Sequence, residues 1–312
     1  MALLPGAASA ESEPCPPSPF DPELGAALQA RWPGRRFTAA VLDLRNGCEH
    51  HLNPGMRITT ASVFKVEVMA GVLLRAQEAG RPVSEWESAR IRPMISQSAN
   101  PPTNELFTSL GGVAGANRLH QRFGLAETTT TSGTWGLTST TARDQLHLLE
   151  QVLVRGGPLG AAARQRAWDE MAGVVPEQRW GITEAVPAGW PVALKNGFAG
   201  SQCCGWRLNS VGKVRQDWLV AVLSDGWPSQ EAGIEGNRFV NAAIATRLAL
   251  FRTEDEPRVE PWLDHRYREL FSRPLDLHGR VTWGAALHAG VPPADLVAWL
   301  KGSAEYRARH GG

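Results

Sequence analysis

The chain is poor in cysteine and has no long apolar run, and each shortage removes a class of protein. Four cysteines in 312 residues (Cys15, Cys48, Cys203, Cys204) are too few to frame a chain this long with disulfides. The adjacent pair Cys203-Cys204 lacks C-x-x-C spacing and has no histidine cluster beside it, so no metal is expected. The longest apolar runs, such as residues 68–74 (VMAGVLL), fall far short of a membrane span, so no transmembrane segment is expected. Charge of one sign is also lacking. Lys+Arg number 32 against Asp+Glu 31, a formal net charge of +1, which gives no field to recruit nucleic acid or anionic lipid. There is no G-x-S-x-G, no H-E-x-x-H, no Walker loop and no two glycines in the G-x-G step of G-x-G-x-x-G, so no cofactor is expected.

What is present fits a globular chain of one large domain with a small appendage: 43% hydrophobic and 20% charged residues. Residues 2–10 (ALLPGAASA) end on Ala8-Ser9-Ala10, like the small-residue tail of a secretory signal, but lack a basic start and an apolar stretch. Two readings stay open: a signal remnant, which would make the protein secreted or cell-envelope, or a disordered leader on a cytoplasmic one. The His50-His51 pair follows a turn and is expected to be solvated.

Residues 37–44 (FTAAVLDL) are β-rich and run into the Asn46-Gly47 turn signal, so a hairpin opens the fold. From 62 to 79, apolar residues recur at helical spacing until Gly80 and Pro82. Residues 91–153 read as helices and loops, with a break at Pro101-Pro102, a threonine run at 128–131 and a helix over 140–154. Strand patterns return at 192–197, 206–214 and 218–223, and a closing helix spans 237–250. Strands at both ends with helices between predict an α+β sandwich, one antiparallel sheet built from both termini with an inserted helical subdomain. The expected division is a leader over 1–30, the main domain over 31–252, a charged, proline-marked linker over 253–261 and a helical module over 262–312.

Three fragments carry chemistry: Ser62-Val63-Phe64-Lys65, Ser98-Ala99-Asn100 and Lys195-Asn196-Gly197. A lone S-x-x-K is weak, and Ser210-Val211-Gly212-Lys213 repeats it. Position separates the two copies. On a helix, residues three apart share a face, so Lys65 can lie under Ser62. On a strand, an odd step puts Ser210 and Lys213 on opposite faces. Ser62 also falls at a helix start, whose unpaired N–H groups can stabilise an oxyanion. Alone, each fragment reads as a cap or a turn; their order, each on the element its chemistry needs, points to a serine that uses lysine as its base.

Residues 37–252 resemble the class A β-lactamase and penicillin-binding protein family of active-site serine enzymes. Thr60-Ala61 ahead of Ser62, Asn104 after Ser98-Ala99-Asn100, Gly205-Trp206 with 209–212, and 221–226 (AVLSDG) support the resemblance. It implies a sheet flanked by helices with the site beside an all-helical subdomain. It makes Ser62 the acylated nucleophile and Lys65 its base, with a pKa pulled below ~10.4 by burial and by Lys195 as second cation. Ser98 would relay a proton to the leaving nitrogen, and Asn100 would bind the substrate amide. Lys195 and Asn196 would face a substrate carboxylate, and the N–H groups of Ser62 and Phe198 would form the oxyanion hole. Gly197 would let the strand edge approach the substrate.

Three departures stand out. Ala99 replaces an aspartate, and Asn196 replaces Thr or Ser. The Glu-x-x-Leu-Asn loop that activates the deacylating water has no counterpart, since 105–138 offer only Glu105 and Glu127, and 128–139 look like a shortened loop. The expected activity is a β-lactamase-like serine hydrolase that acylates on a small β-lactam or a D-Ala-D-Ala-like peptidoglycan peptide and deacylates slowly. The alternatives are a catalytically idle cell-wall-binding protein and a transacylase that passes the acyl group to an amine. The C-terminal stretch resembles a small helical domain of unassigned role in bacterial, often extracellular, proteins. Its Trp283, Leu287, Leu296, Trp299 and Leu300 are expected to be core.

Overall fold

The computed structural model describes residues 14–131, 133–187, 189–200, 204–248, 259–288 and 290–310. Helix α1 (Pro22–Arg31) leads into β1 (Arg36–Asp43) and β2 (Cys48–Leu52), then β3 (Ile58–Thr59) and a 3-10 turn at Ala61–Val63. Helices α2 (Phe64–Glu78), α3 (Glu85–Ser96), α4 (Asn100–Ser109) and α5 (Gly112–Arg122) follow. A second 3-10 turn, Trp135–Leu137, precedes β4 (Ser139–Thr140), α6 (Ala142–Leu153) and α7 (Ala161–Ala172). Strands β5 (Val192–Ala199), β6 (Trp206–Val214) and β7 (Trp218–Trp227) and helix α8 (Gln230–Arg247) complete the main body. The C-terminal module is α9 (Val259–Phe271), α10 (Leu277–His288), α11 (Pro293–Lys301) and α12 (Ala304–His310).

The five long strands form one antiparallel sheet in the order β2-β1-β7-β6-β5. The N-terminal hairpin and the C-terminal meander thus join through β1 and β7, as the sequence predicts. Period-two alternation sorts the side chains. Ala40, Leu42, Ala193, Val211, Leu219, Ala221 and Leu223 face the helical core built on α2 and α6. Phe37, Ala39, Val41, Leu194, Leu208, Val220 and Val222 face the core under α1 and α8.

Several boundaries differ from the sequence reading. Helix α1, capped by Asp21 and burying Leu24 and Leu28, lies inside the stretch read as leader, and a Cys15–Cys48 disulfide ties the segment before it to β2. Pro101-Pro102 begins a helix instead of breaking one, because a proline in the first turn has no intrahelical N–H bond to lose. Helix α8 starts seven residues before the expected 237, although Gly233 and Gly236 weaken helix propensity. Side chains of Leu208 and Trp227 would lie about 2.2 Å from a Cβ at those two positions, so close packing on the sheet requires glycine there. Residues 259–261 of the expected linker are helical in α9; 253–258 lie outside the described residues. The histidine pair is half-buried, with His51 Nε2 2.8 Å from Glu49 Oε1.

The module has its own core of Leu263, Tyr267, Leu270, Phe271, Leu275, Leu296 and Leu300. Trp283 and Leu287 only flank it, and Trp299, expected inside, is 51% exposed. Helix α10 joins the module to the main body: Leu277 and Val281 enter the α1/α8 core, and Gly284 abuts Thr246 of α8.

Candidate active site

Ser62 sits in the 3-10 turn that feeds α2, and three backbone features fix that turn. Ala61 has φ 45°, a left-handed conformation rare for a residue with a side chain. Asn209, fully buried on β6, donates both amide protons, to Thr59 O and Thr60 O at 2.9 Å each, and accepts from Ser224 N at 3.2 Å. From β5, Gly197 presses so close that a Cβ there would lie 2.8 Å from Thr60 O and Val63 N and 2.9 Å from Ser62 N. Glycine at 197 is therefore needed for the approach of the strand to the turn that bears Ser62, a reason distinct from approach to a substrate.

Lys65 stands three residues after Ser62, and in a tight turn such a step brings side chains over one another. Its ammonium is buried and donates to Ser98 O at 2.5 Å, Asn100 Oδ1 at 2.9 Å and Ser98 Oγ at 3.2 Å. Among the described residues no hydrogen bond ends on Ser62 Oγ, and Ser62 is half-buried at the mouth. Lys195 reaches the same hydroxyl from β5, donating to Ser98 Oγ at 2.9 Å and to Asn196 O at 2.7 Å. Ser98 itself has φ 60°; among the described residues, two of the five non-glycine residues with positive φ thus flank this cleft.

Two amines converging on one oxygen cannot both hold a charge cheaply. Burial draws Lys65 from 10.5 down to about 7, and burial followed by repulsion from Lys65 draws Lys195 well below its usual value. The sequence reading gave Lys195 a part in lowering Lys65; the structure makes burial the cause there, with the charge repulsion felt at Lys195. Ser98 O and Asn100 Oδ1 can only accept, so a neutral Lys65 spends its two N–H bonds on them and turns its lone pair toward Ser98 Oγ, 3.2 Å away.

The exposed edge of β5 is organised by the same alternation. Asn196 O accepts from Lys195 Nζ, so the polar groups of residue 196, and of 198 two positions on, point away from β6. The Phe198 N–H accordingly lies on the free edge of β5, one residue beyond Gly197, whose Cβ position would be 2.9 Å from Ser62 N. The Asn196 side chain turns away from the cleft. Its amide donates to Gln178 O at 2.8 Å and Trp180 O at 2.9 Å, which uses both donors and corrects the expectation that it meets a substrate carboxylate. Asn100 is exposed, and with Oδ1 on Lys65 its amide protons are left for the cleft.

The wall over Lys65 is aromatic. Trp135 lies with its ring centroid 4.9 Å from Lys65 Nζ, stacks on Phe64 at 6.4 Å and 13°, and donates from its indole N–H to Asn104 Oδ1 at 2.8 Å. Gly136 brings this turn to within 3.8 Å of Ala61 Cα, measured from a Cβ built on the glycine. Behind it the threonine run is zipped shut: Thr130 to Thr138 at 2.7 Å, Thr128 to Thr140 at 2.8 Å and Thr128 to Asp144 at 2.7 Å. Glu105 pairs with Arg90 and Glu127 accepts from Thr141; among the described residues no carboxylate bonds either lysine of the cleft.

The structure thus gathers Ser62, Lys65, Ser98, Asn100, Lys195, Gly197 and Phe198 and turns Asn196 away. Sequence reasoning missed the parts played by Asn209 and Trp135. Both lay within quoted stretches, but an asparagine in a strand and a tryptophan in a threonine-rich loop carry no periodic signal.

The sequence model of the Beta-lactamase enzyme family matches residues 89–243. No curated protein matches the chain. Among solved structures, an ancestral class A β-lactamase (GNCA) aligns with TM-score 0.62 at 20% identity over 73% of this chain and 98% of its own. A β-lactamase from Burkholderia vietnamiensis aligns with TM-score 0.62 at 22% identity, over 72% and 95%. A mutant of PBP-A, captured as an acyl-enzyme complex with penicillin G, aligns with TM-score 0.59 at 20% identity, over 70% and 93%. At such identities the structural likeness speaks for the fold.

Proposed function

The chain belongs to the serine β-lactamase-like family, and from that we propose that it is a serine hydrolase acylated on Ser62 by a β-lactam or a D-Ala-D-Ala-like amide or ester. One observation carries the reading: Lys65 and Lys195 converge on the Ser98 hydroxyl beside the turn that bears Ser62.

In this reading neutral Lys65 takes the Ser62 proton as Oγ adds to the carbonyl carbon. The N–H groups of Ser62 and Phe198 hold the oxygen that becomes negative. With both amines donating to it, Ser98 Oγ has its own proton free to pass to the departing nitrogen, and Lys65 restores that proton. The C–N bond breaks, and the acyl group remains as an ester on Ser62. Asn100 orients the substrate amide, and with Lys65 neutral the repulsion on Lys195 is lifted, so that Lys195 can hold the charge that meets a substrate carboxylate. Hydrolysis then needs a water with a base, and neither Glu105 nor Glu127 is arranged to serve. Slow deacylation follows.

Intact-mass measurement after exposure to a panel of β-lactams tests the reading. Wild type should gain the mass of the opened β-lactam on the peptide holding Ser62, and Ser62→Ala should gain none. No adduct from any β-lactam or activated ester would overturn it. Export completes the proposal: the Cys15–Cys48 bond suits an oxidising compartment. Fractionation of the native host checks this, with recovery in the cytoplasm in reduced form as the contrary result.

A further inference from the structure

The least expected group in the cleft is the indole over Lys65. A family fold that hydrolyses its ester must let water reach the acylated serine from some side, and here the Trp135–Leu137 turn abuts the nucleophile turn at Ala61. Ser98 and Asn100 take the Lys65 protons on one side, and the Trp135 ring covers another. The ring is not a loose flap. It stacks on Phe64, the residue just before Lys65, and its N–H is held by Asn104 of α4.

We propose that Trp135, latched by Asn104, is a positioning residue that keeps water off Lys65 and so sets how long an acyl group stays on Ser62. This rests on the acyl-enzyme reading for its kinetic half and on geometry alone for the dry lysine. The reaction it suppresses is ordinary hydrolysis. Neutral Lys65 would take a proton from water, the hydroxide oxygen would bond to the ester carbonyl carbon, and the bond from that carbon to Ser62 Oγ would break. The proton would then return from Lys65 to Ser62, releasing the acid. With the ring in place, Lys65 has the lone pair for this step but no water to act on.

The charges near the ring give the expected direction of a second readout. Lys195 is the titratable group that meets the same hydroxyl as Lys65, and among the described residues no acid pairs with either. Removing the ring exchanges an aromatic face for water, which hydrates an ammonium better than a ring solvates it. The midpoint of Lys65 titration should therefore move upward.

The test is Trp135→Ala beside Trp135→Phe and Asn104→Ala. Adduct lifetime is followed by intact mass after a β-lactam pulse, and Lys65 titration by NMR of its labelled side chain without substrate. In Trp135→Ala the adduct should decay faster by about 10²-fold, the lower end of what a positioned base supplies, and the titration should rise by about one pH unit. Trp135→Phe keeps a ring over Lys65 and should restore both values toward wild type. Asn104→Ala should fall between. A folded Trp135→Ala with unchanged lifetime and titration overturns the proposal; if that variant does not fold, an Asn104→Ala indistinguishable from wild type in both overturns it. Should wild type form no adduct at all, the acyl-enzyme reading fails, and the NMR titration still decides whether Trp135 keeps Lys65 dry.

Discussion

Ser-x-x-Lys is spelled twice in this chain, and the two copies share little beyond the spelling. Ser62 and Lys65 ride one helical rise, and Lys65 meets a second lysine, a hydroxyl and an aromatic ring. Ser210 and Lys213 ride β6 and leave the sheet in opposite directions. Ser210 Oγ accepts from Ile182 N at 3.4 Å on the α8 side. Lys213 Nζ donates to Leu153 O at 3.3 Å and Gln216 Oε1 at 2.8 Å, 5.3 Å from the Trp168 ring centroid, on the α6 side. Burial lowers the affinity of both lysines for a proton. Burial alone therefore does not set the first copy apart; the meeting of Lys65 and Lys195 on the Ser98 hydroxyl does.

The comparison is broken most forcefully at the lysines. Lys65→Met should slow acylation of Ser62 by about 10²–10⁴-fold, measured by intact mass against time, whereas Lys213→Met should leave it at the wild-type rate. Equal losses would erase the distinction. Gly197→Ala tests whether the strand really wedges the nucleophile turn. A displacement of ~1 Å should cost about 10²-fold in acylation, with a stability loss of about 1–3 kcal/mol in urea unfolding; an active, fully stable variant would show that the turn can move aside.

Titration separates the copies more finely. With Lys65 at about 7, the acylation rate should climb about tenfold per pH unit below that point and level off above it, because only the neutral amine accepts a proton. Lys213→Met should not move this profile. The unfolded chain keeps Lys65 near its usual 10.5 and so binds the extra proton between about 7 and 10.5. The penalty that burying this group puts on folding is therefore full below about 7 and is relieved as pH rises to 10.5, so stability rises with pH across that window. The smallest effect is expected at Lys213 itself: Lys213→Met strands Leu153 O and Gln216 and should cost about 1–3 kcal/mol of stability in denaturant titration, and no loss would mean that those bonds contribute nothing net.

Much of this was legible before any coordinates. The hairpin over β1 and β2, the meander over β5 to β7 and the helix after Ser62 follow from alternation and helical spacing, and the two Ser-x-x-Lys copies are told apart by period alone. What was not legible depends on partners distant in sequence. Asn196 looks like a ligand for a carboxylate until Gln178 and Trp180 bring their carbonyls to it. Gly233 and Gly236 look like the absence of a helix until Leu208 and Trp227 fill the space beside them. Trp299 has the spacing of a core residue, yet the short α11 buries only Leu296 and Leu300 and leaves the indole outside.

The seat of α10 fixes which way the molecule looks. It leans on α8 and α1, on the side of the sheet turned from Lys65 and Lys195. A label or linker placed on α10 would therefore sit across the sheet from Lys65 and Lys195.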